Sequence, residues 1–370
     1  MRQIDTNARG RSERFARAMV RPLVGFVLIA AALGLIQWRS PLWVTSKVTQ
    51  VELYLAGIHS EFVILDGHEL HYLEGGTGDP VVLVHGLGSS AQQGWAKLMP
   101  YLVRSGHHVY AVDLLGFGES EKPADHSYSI KEQAGVLEKF LDEKHLEKVA
   151  LAGESMGGWI SAVTALDQPQ RVSELILYDS AGLWFRPSFD LSLLTPQTTE
   201  QVDTLAAISM PRTNPIPDYV KEDLIREAKR ENWVVQRALT SMLAGADLLD
   251  QRFSSLKMPL LIVWGKEDAV TPLKIGETMH RVTPQSVLAV YDGCGHIAVD
   301  TCADRVAPMT VSFLGGTRPQ AGRTIEVPTE GLHDSLAASS YHLLWSIRSD
   351  LFSGQARASQ QLAVSHVSQR

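Results

Sequence analysis

Cysteine is nearly absent: Cys294 and Cys302 are the only two in 370 residues. Two are too few for the disulfide framework of a small secreted scaffold, and they lack the spacing of a zinc site. They read as two buried free thiols, with a bridge bracing the neighbouring histidine loop as the alternative. A strong charge of one sign is missing too. Lys and Arg number 34 against 41 Asp and Glu, a formal charge of −7 with no basic block in the main body. Nucleic-acid binding therefore has nothing to rest on. No internal repeat is visible. With 45% hydrophobic and 20% charged residues, the chain is not of the disordered or collagen-like kind. What remains is a globular protein with a full core, at a length where α/β folds often form one unit.

The N-terminus departs from that body. From Pro22 to Trp38 there is no charged residue, a run of 17 dominated by Leu, Val, Ile and Ala. That is the short end of what spans a bilayer as a helix. Arg2, Arg9, Arg11, Arg14, Arg17 and Arg21 precede it against only Asp5 and Glu13. By the positive-inside rule the N-terminus stays in the cytoplasm and the body emerges outside it, in the periplasm if the source is bacterial. A cleaved signal peptide is the rival reading. It is disfavoured by the long leading segment and by bulky Ile36, Gln37, Trp38 and Arg39 where small residues are wanted. Trp38 and Trp43 suit an interfacial belt.

Strand and helix patterns then alternate. Residues 61–76 read as two short strands around Asp66-Gly67, a hairpin signal. The apolar run at 80–86 reads as a strand buried on both faces. Further strands are expected at 107–116, 148–155, 173–180, 259–268 and 286–296. Helices are expected at 91–105, 130–145, 156–168, 273–282 and 301–314. Between about 183 and 255 the alternation pauses in a proline-containing stretch that turns helical at 219–250. The fold expected is α/β, a doubly wound and mostly parallel sheet with a helical cap inserted over its C-terminal edge. The boundaries drawn are 1–40 for the cytoplasmic segment and anchor and 41–60 for a connector. The α/β core takes 61–182 and 256–314, the cap 183–255, and a tail without assigned role 315–370.

Chemistry concentrates at Gly153-Glu154-Ser155-Met156-Gly157. This G-x-S-x-G sequence sits where a strand ends and a helix begins, the place where a strained turn exposes a serine hydroxyl. The bland alternative is a serine that merely caps the helix. A serine needs a base to attack at neutral pH. Of 13 histidines, His296 follows the last expected strand in a glycine-flanked loop, on the edge where catalytic loops gather. Asp268, after the preceding strand, is placed to orient the imidazole. Asp179 is its rival, and neighbouring Glu267 is expected to point elsewhere. The developing oxyanion needs fixed donors: the backbone N–H of Met156 and, from the loop after 80–86, that of Leu87. His85 reads as a structural hydrogen-bonding residue, and no metal or organic cofactor is implied.

Together HGLG (85–88), DLLGFGES (113–120), GESMGGW (153–159), GKEDAVTP (265–272) and GCGH (293–296) resemble the α/β-hydrolase superfamily over roughly 61–314. The chain order Ser155, Asp268, His296 is that of the superfamily. Its serine separates it from dehalogenases and epoxide hydrolases, whose elbow carries aspartate. The turn at 113–120 reads as architecture. The N-terminal apolar run with GESMGG looks like bacterial membrane-associated lipases and esterases and membrane-anchored monoacylglycerol lipases. The same elbow is similar to that of carbon–carbon bond hydrolases acting on aromatic ring-fission products. The implied activity is a serine carboxylic-ester hydrolase, esterase- or lipase-like, acting through an acyl-enzyme on a fairly hydrophobic ester. Alternatives are a carbon–carbon hydrolase with the same triad, a haloperoxidase-like side activity, and a non-catalytic binding protein on a hydrolase fold. The partners expected are a small-molecule or lipid ester and the membrane.

Overall fold

Apolar runs too short for helices set the strands. β1 (Ile58–Leu65) and β2 (His68–Gly75) form the hairpin, and Asp66 and Gly67 at its tip both take positive φ (51° and 87°), as a tight primed turn requires. β3 (Pro80–Val84), β4 (His108–Val112), β5 (Val149–Glu154), β6 (Val172–Tyr178), β7 (Leu260–Gly265), β8 (Ser286–Tyr291) and β9 (Thr324–Val327) follow. In this computed structural model, which describes residues 34–329, they form one nine-stranded sheet in the order β1-β2-β4-β3-β5-β6-β7-β8-β9. β2 runs antiparallel to β1 and β4, and every later pairing is parallel.

Every residue of β5, β7 and β8 is buried, because helices cover both faces of the sheet. One apolar cluster joins Val82, Leu151 and Leu177 to the helices Ile130–Glu143 and Met156–Asp167. The other joins Leu83, Ala152 and Val263 to the helices Ala91–Trp95, Met99–Arg104 and Ala303–Leu314. The sheet is thus doubly wound, as expected.

Several elements differ from the expectation. The helix at 91–105 is two short ones, the second opening with Pro100 in its first turn, where a missing N–H costs nothing. The helix expected at 301–314 runs Ala303–Leu314, preceded by a separate short one at Ala298–Thr301. The stretch expected as a connector, 41–60, contains a helix, Pro41–Leu55. Its apolar residues lie all round it, with Leu53 buried but Trp43, Val51 and Leu55 exposed, so no single-sided period announced it. β9 lies in the tail that began at Gly315; its four residues alternate exposed and half-buried, too short and too polar a signal to stand out.

Between β6 and β7 the chain forms the helices Thr199–Ser209 and Asp218–Leu243, with short 3-10 turns at Leu191–Leu194 and Phe253–Ser255. The helix Pro41–Leu55 is fastened to the longer of these. The Leu42 N–H donates to Asp223 Oδ2 at 3.0 Å, and Arg226 Nη2 donates to the Arg39 carbonyl at 2.6 Å. The expected membrane-spanning run, Pro22–Trp38, lies mostly outside the described residues. Among the described residues no helix is long and apolar enough to cross a membrane.

Candidate active site

The elbow is built by close approach. A Cβ on Gly153 would run into the backbone of Gly157, one on Gly157 into the carbonyls of Val84 and His85, and one on Gly158 into Ser180. Glycine at these positions lets the helix Met156–Asp167 start directly against β3 and β5. Ser155, between strand and helix, is left at φ 52° and ψ −117°, a conformation that costs a non-glycine residue about 1–3 kcal/mol. Neighbouring backbone holds it there: the Ser155 N–H donates to the Tyr178 carbonyl at 2.9 Å, and the Ser155 carbonyl accepts from the Ala181 N–H at 3.1 Å.

The structure brings the three sequence-expected side chains together. Ser155 Oγ lies 2.9 Å from His296 Nε2, and His296 Nδ1 lies 2.9 Å from Asp268 Oδ2. Asp268 is nearly buried, and its oxygens are further occupied by the N–H groups of Val270 (2.8 Å) and Thr271 (2.9 Å). A carboxylate held by this many donors is fixed in direction. Burial alone would disfavour the His296 imidazolium. The Asp268 charge and hydrogen bond, with further help from Glu154 and Asp179, reverse this and push its pKa up to about 9.

Asp179 is not part of this chain of contacts. Its carboxyl oxygens accept from the N–H groups of Gly265 (2.7 Å) and Ala298 (3.1 Å). Burial, then the nearby Asp268 charge, raises its pKa well above the carboxylate range. Glu267 pairs with Arg212 on the surface. His85 is fully buried with both ring nitrogens engaged: Nδ1 lies 2.8 Å from the Gly86 carbonyl, and Nε2 accepts from the Leu114 N–H at 3.0 Å. Burial depresses its pKa, so it stays neutral and braces the loop carrying Leu87. Leu87 lines the cavity over Ser155. Met156 is buried as the first helical residue after Ser155, so its N–H belongs to the first-turn donors a helix cannot satisfy itself.

Two participants were missed in the sequence, and a third was weighed only as an alternative. The Thr271 hydroxyl stands 2.7 Å from Asp268 Oδ2, 2.9 Å from the Asp179 carbonyl and 3.1 Å from His296 Nδ1. Its place three residues after Asp268 was the available signal. The His296 N–H donates to the carbonyl of Ser209, the last residue of a cap helix, at 2.9 Å. Cys294 and Cys302 form a disulfide across eight residues, which corrects the expectation of two free thiols. The loop after β8 folds back on itself, bringing the two Cα atoms to 6.3 Å, a separation that a bridge spans. His296 sits inside the ring so closed.

Above Ser155 lies a cavity of about 600 Å³, walled mostly by the segment between β6 and β7, with Leu183, Phe185, Leu205, Leu224, Leu239 and Met242 among its lining. Its lining includes Glu154, Asp300 and His296 but no lysine or arginine. Among the described residues no group of His, Cys, Asp and Glu could hold a metal ion.

The chain is similar to known proteins. Residues 79–214 match the family described as alpha/beta hydrolase fold, and residues 244–324 match one described as TAP-like protein. The chain is 27% identical to Lipase 1 of Psychrobacter immobilis over 73% of its own length and 88% of that protein. It is 31% identical to the 2-hydroxy-6-oxo-2,4-heptadienoate hydrolase of Pseudomonas putida, over 63% of its own length and 88% of that enzyme. The crystal structure of a membrane phospholipase A, a bacterial virulence factor, superposes with a TM-score of 0.69 at 28% identity, covering 80% of this chain and 98% of that one. With a serine at the strand-to-helix elbow and relatives matched over most of their length, the chain belongs to the α/β-hydrolase fold family.

Proposed function

We propose that this hydrolase cleaves carboxylic esters of fairly hydrophobic acids through an acyl-enzyme on Ser155. Ser155 Oγ attacks the acyl carbon as its proton passes to His296 Nε2. Asp268 holds the imidazolium, and His296 then gives the proton to the departing alkoxide. Water, activated by the same imidazole, releases the acid. The backbone N–H groups of Met156 and Leu87 are assigned to the tetrahedral oxyanion.

The observation that carries the choice of substrate is the apolar cavity without lysine or arginine in its lining. A buried carboxylate needs a cationic partner or several donors to offset its lost hydration. Glu154 and Asp300 would instead repel it. A neutral acyl chain has no such requirement, and the cavity's size is that of a small-molecule site. The second reading, carbon–carbon bond hydrolysis of a dienoate, is supported by the Pseudomonas putida relative and would use the same three side chains. It would place an acid group in a space lined by no lysine or arginine. The test is hydrolysis of p-nitrophenyl esters of increasing chain length beside a ring-fission dienoate, with Ser155→Ala as control. Ester turnover that rises with chain length and vanishes in the variant supports the proposal. Turnover of the dienoate alone replaces it with the second reading. Fluorophosphonate labelling of Ser155 would exclude a non-catalytic binding protein.

We also place the protein at a membrane, held by Pro22–Trp38 with the catalytic body outside the cytoplasm. Exposed Trp38, Trp43, Val51, Tyr54 and Leu55 continue the apolar character of that run into the first described helices. A disulfide is at home in an oxidising compartment. Recovery of the full-length protein only in the soluble fraction would remove this assignment.

A further inference from the structure

Glu154 directly precedes the nucleophile in the elbow, and nothing in the triad accounts for it. It ends β5 with its carboxyl group buried, an expensive place for a group that ionises. One carboxyl oxygen stands 3.8 Å from His296 Nε2, the same nitrogen that faces Ser155 Oγ at 2.9 Å. The Gly86 backbone N–H favours the ionised carboxyl group, and a Cβ on Gly86 would occupy the space of its Oε2. The imidazole therefore has an acidic group at each end, Asp268 in hydrogen-bond contact at Nδ1 and Glu154 beyond that range at Nε2. A distance of 3.8 Å leaves Nε2 free to exchange its proton with Ser155, while a negative charge there still acts on the ring.

We propose that Glu154 is a positioning residue for the base: its carboxylate stabilises protonated His296 from the serine side and so sets the pH at which His296 becomes available. This rests on the triad assigned above but not on the choice of ester as substrate. During attack the Oγ–carbon bond forms as the proton moves from Oγ to Nε2. The new imidazolium then lies between two carboxylates until the proton leaves with the alkoxide. Other charged groups act on the pair. Asp268 and Asp300 both disfavour a second negative charge at Glu154, and Asp179 faces the imidazole from the β6 side. Asp300 is itself paired with Lys97 at 3.2 Å. Burial first, and then these acids, push Glu154 up to about 7 against the pull of His296 and the Gly86 N–H. Glu154 is therefore ionised in the alkaline range where His296 gives up its proton.

The variant Glu154→Gln keeps the shape and removes the charge. The full chain is compared with this variant by the pH dependence of two quantities: the rate of fluorophosphonate labelling of Ser155, and the low-field NMR resonance of the proton between His296 and Asp268. In Glu154→Gln both midpoints should move down by about one pH unit, the size expected on losing one opposite charge at this distance. Glu154→Asp should restore part of the shift. A uniform loss of labelling at an unchanged midpoint would make Glu154 a packing residue and overturn the proposal. If Glu154→Gln does not fold, Glu154→Asp alone decides: its carboxylate is drawn back, and an unmoved NMR midpoint counts against the proposal. Failure of the ester reading would show instead as normal labelling without ester turnover.

Discussion

Among the described residues stand two Ser–His–Asp arrangements, and one of them has the surroundings of a catalyst. In the first, Ser155 Oγ to His296 Nε2 and His296 Nδ1 to Asp268 Oδ2 both measure 2.9 Å. In the second, Ser60 Oγ lies 2.8 Å from His71 Nε2 and His71 Nδ1 lies 2.7 Å from Asp113 Oδ2. By distance the second is the tighter. The difference is in what surrounds each serine. Ser155 is held at positive φ on a strand-to-helix turn, beneath an apolar cavity and beside the loop of Leu87. Ser60 lies in β1, at the sheet's edge, opposite Leu73 in a regular antiparallel ladder and exposed to water. Asp113 also accepts from the N–H groups of Ala91 and Glu119, and Ser120 bonds both the His71 N–H and the Asp113 carbonyl. The second set stitches the hairpin to the turn at 113–120. Hydrogen-bonding a buried histidine to an acid and a hydroxyl is a general way of satisfying it. Catalysis needs, in addition, oxyanion donors and a space that excludes water.

The sharpest break of this comparison is at the serines. Ser155→Ala should lower kcat by about 10⁶-fold, the scale of losing a triad nucleophile, while Ser60→Ala stays within about twofold, as surface changes usually do. Ester kinetics with fluorophosphonate mapping reads both. A labelled Ser60 would mean that distances alone suffice. The acids come next. Asp268→Asn should cost about 10⁴-fold in kcat by leaving the imidazole in the wrong tautomer. Asp113→Asn should instead lower the melting temperature, with kcat per folded molecule little changed, because it removes a charge that backbone donors and His71 share. Thermal melts beside kinetics separate the two outcomes.

The pH profile sharpens the first site further. His296 must be neutral to accept the Ser155 proton, and its pKa is raised to about 9. Activity should therefore climb with pH through the alkaline range, about tenfold per unit below the midpoint. A profile already flat at pH 7 would contradict the proton placement.

How much of this the sequence disclosed depended on the range of the contact. The hairpin tip, the apolar strands and the elbow are local patterns, visible in residues 66–67, 80–84 and 153–158. Ser155, Asp268 and His296 could be placed because each follows a strand end, and parallel strands align their ends. Thr271 was hidden because its role depends on three partners that meet only in the fold. The Ser209 carbonyl carries no side-chain signature at all. The disulfide was misjudged because eight residues may run extended or fold back, and spacing does not say which. The second Ser–His–Asp set joins residues from a hairpin and a loop without any recognisable motif.

The smallest expected effect lies at that disulfide. Closing so short a loop is worth about 2–3 kcal/mol by chain entropy. The paired variant Cys294→Ala/Cys302→Ala should lose about that in denaturant unfolding, with kcat reduced far less. A mass increase on reduction and alkylation checks the bond itself.

The bond from the His296 amide to the Ser209 carbonyl makes the roof of the cavity a tenant of the catalytic loop. A roof exchanged for another, by evolution or by design, must end a helix with a carbonyl at that point or leave the base's own amide unpaired. Changes made for fit to a new substrate would then be felt in turnover as well as in affinity. Deuterium uptake at that single amide would time how often the roof lifts.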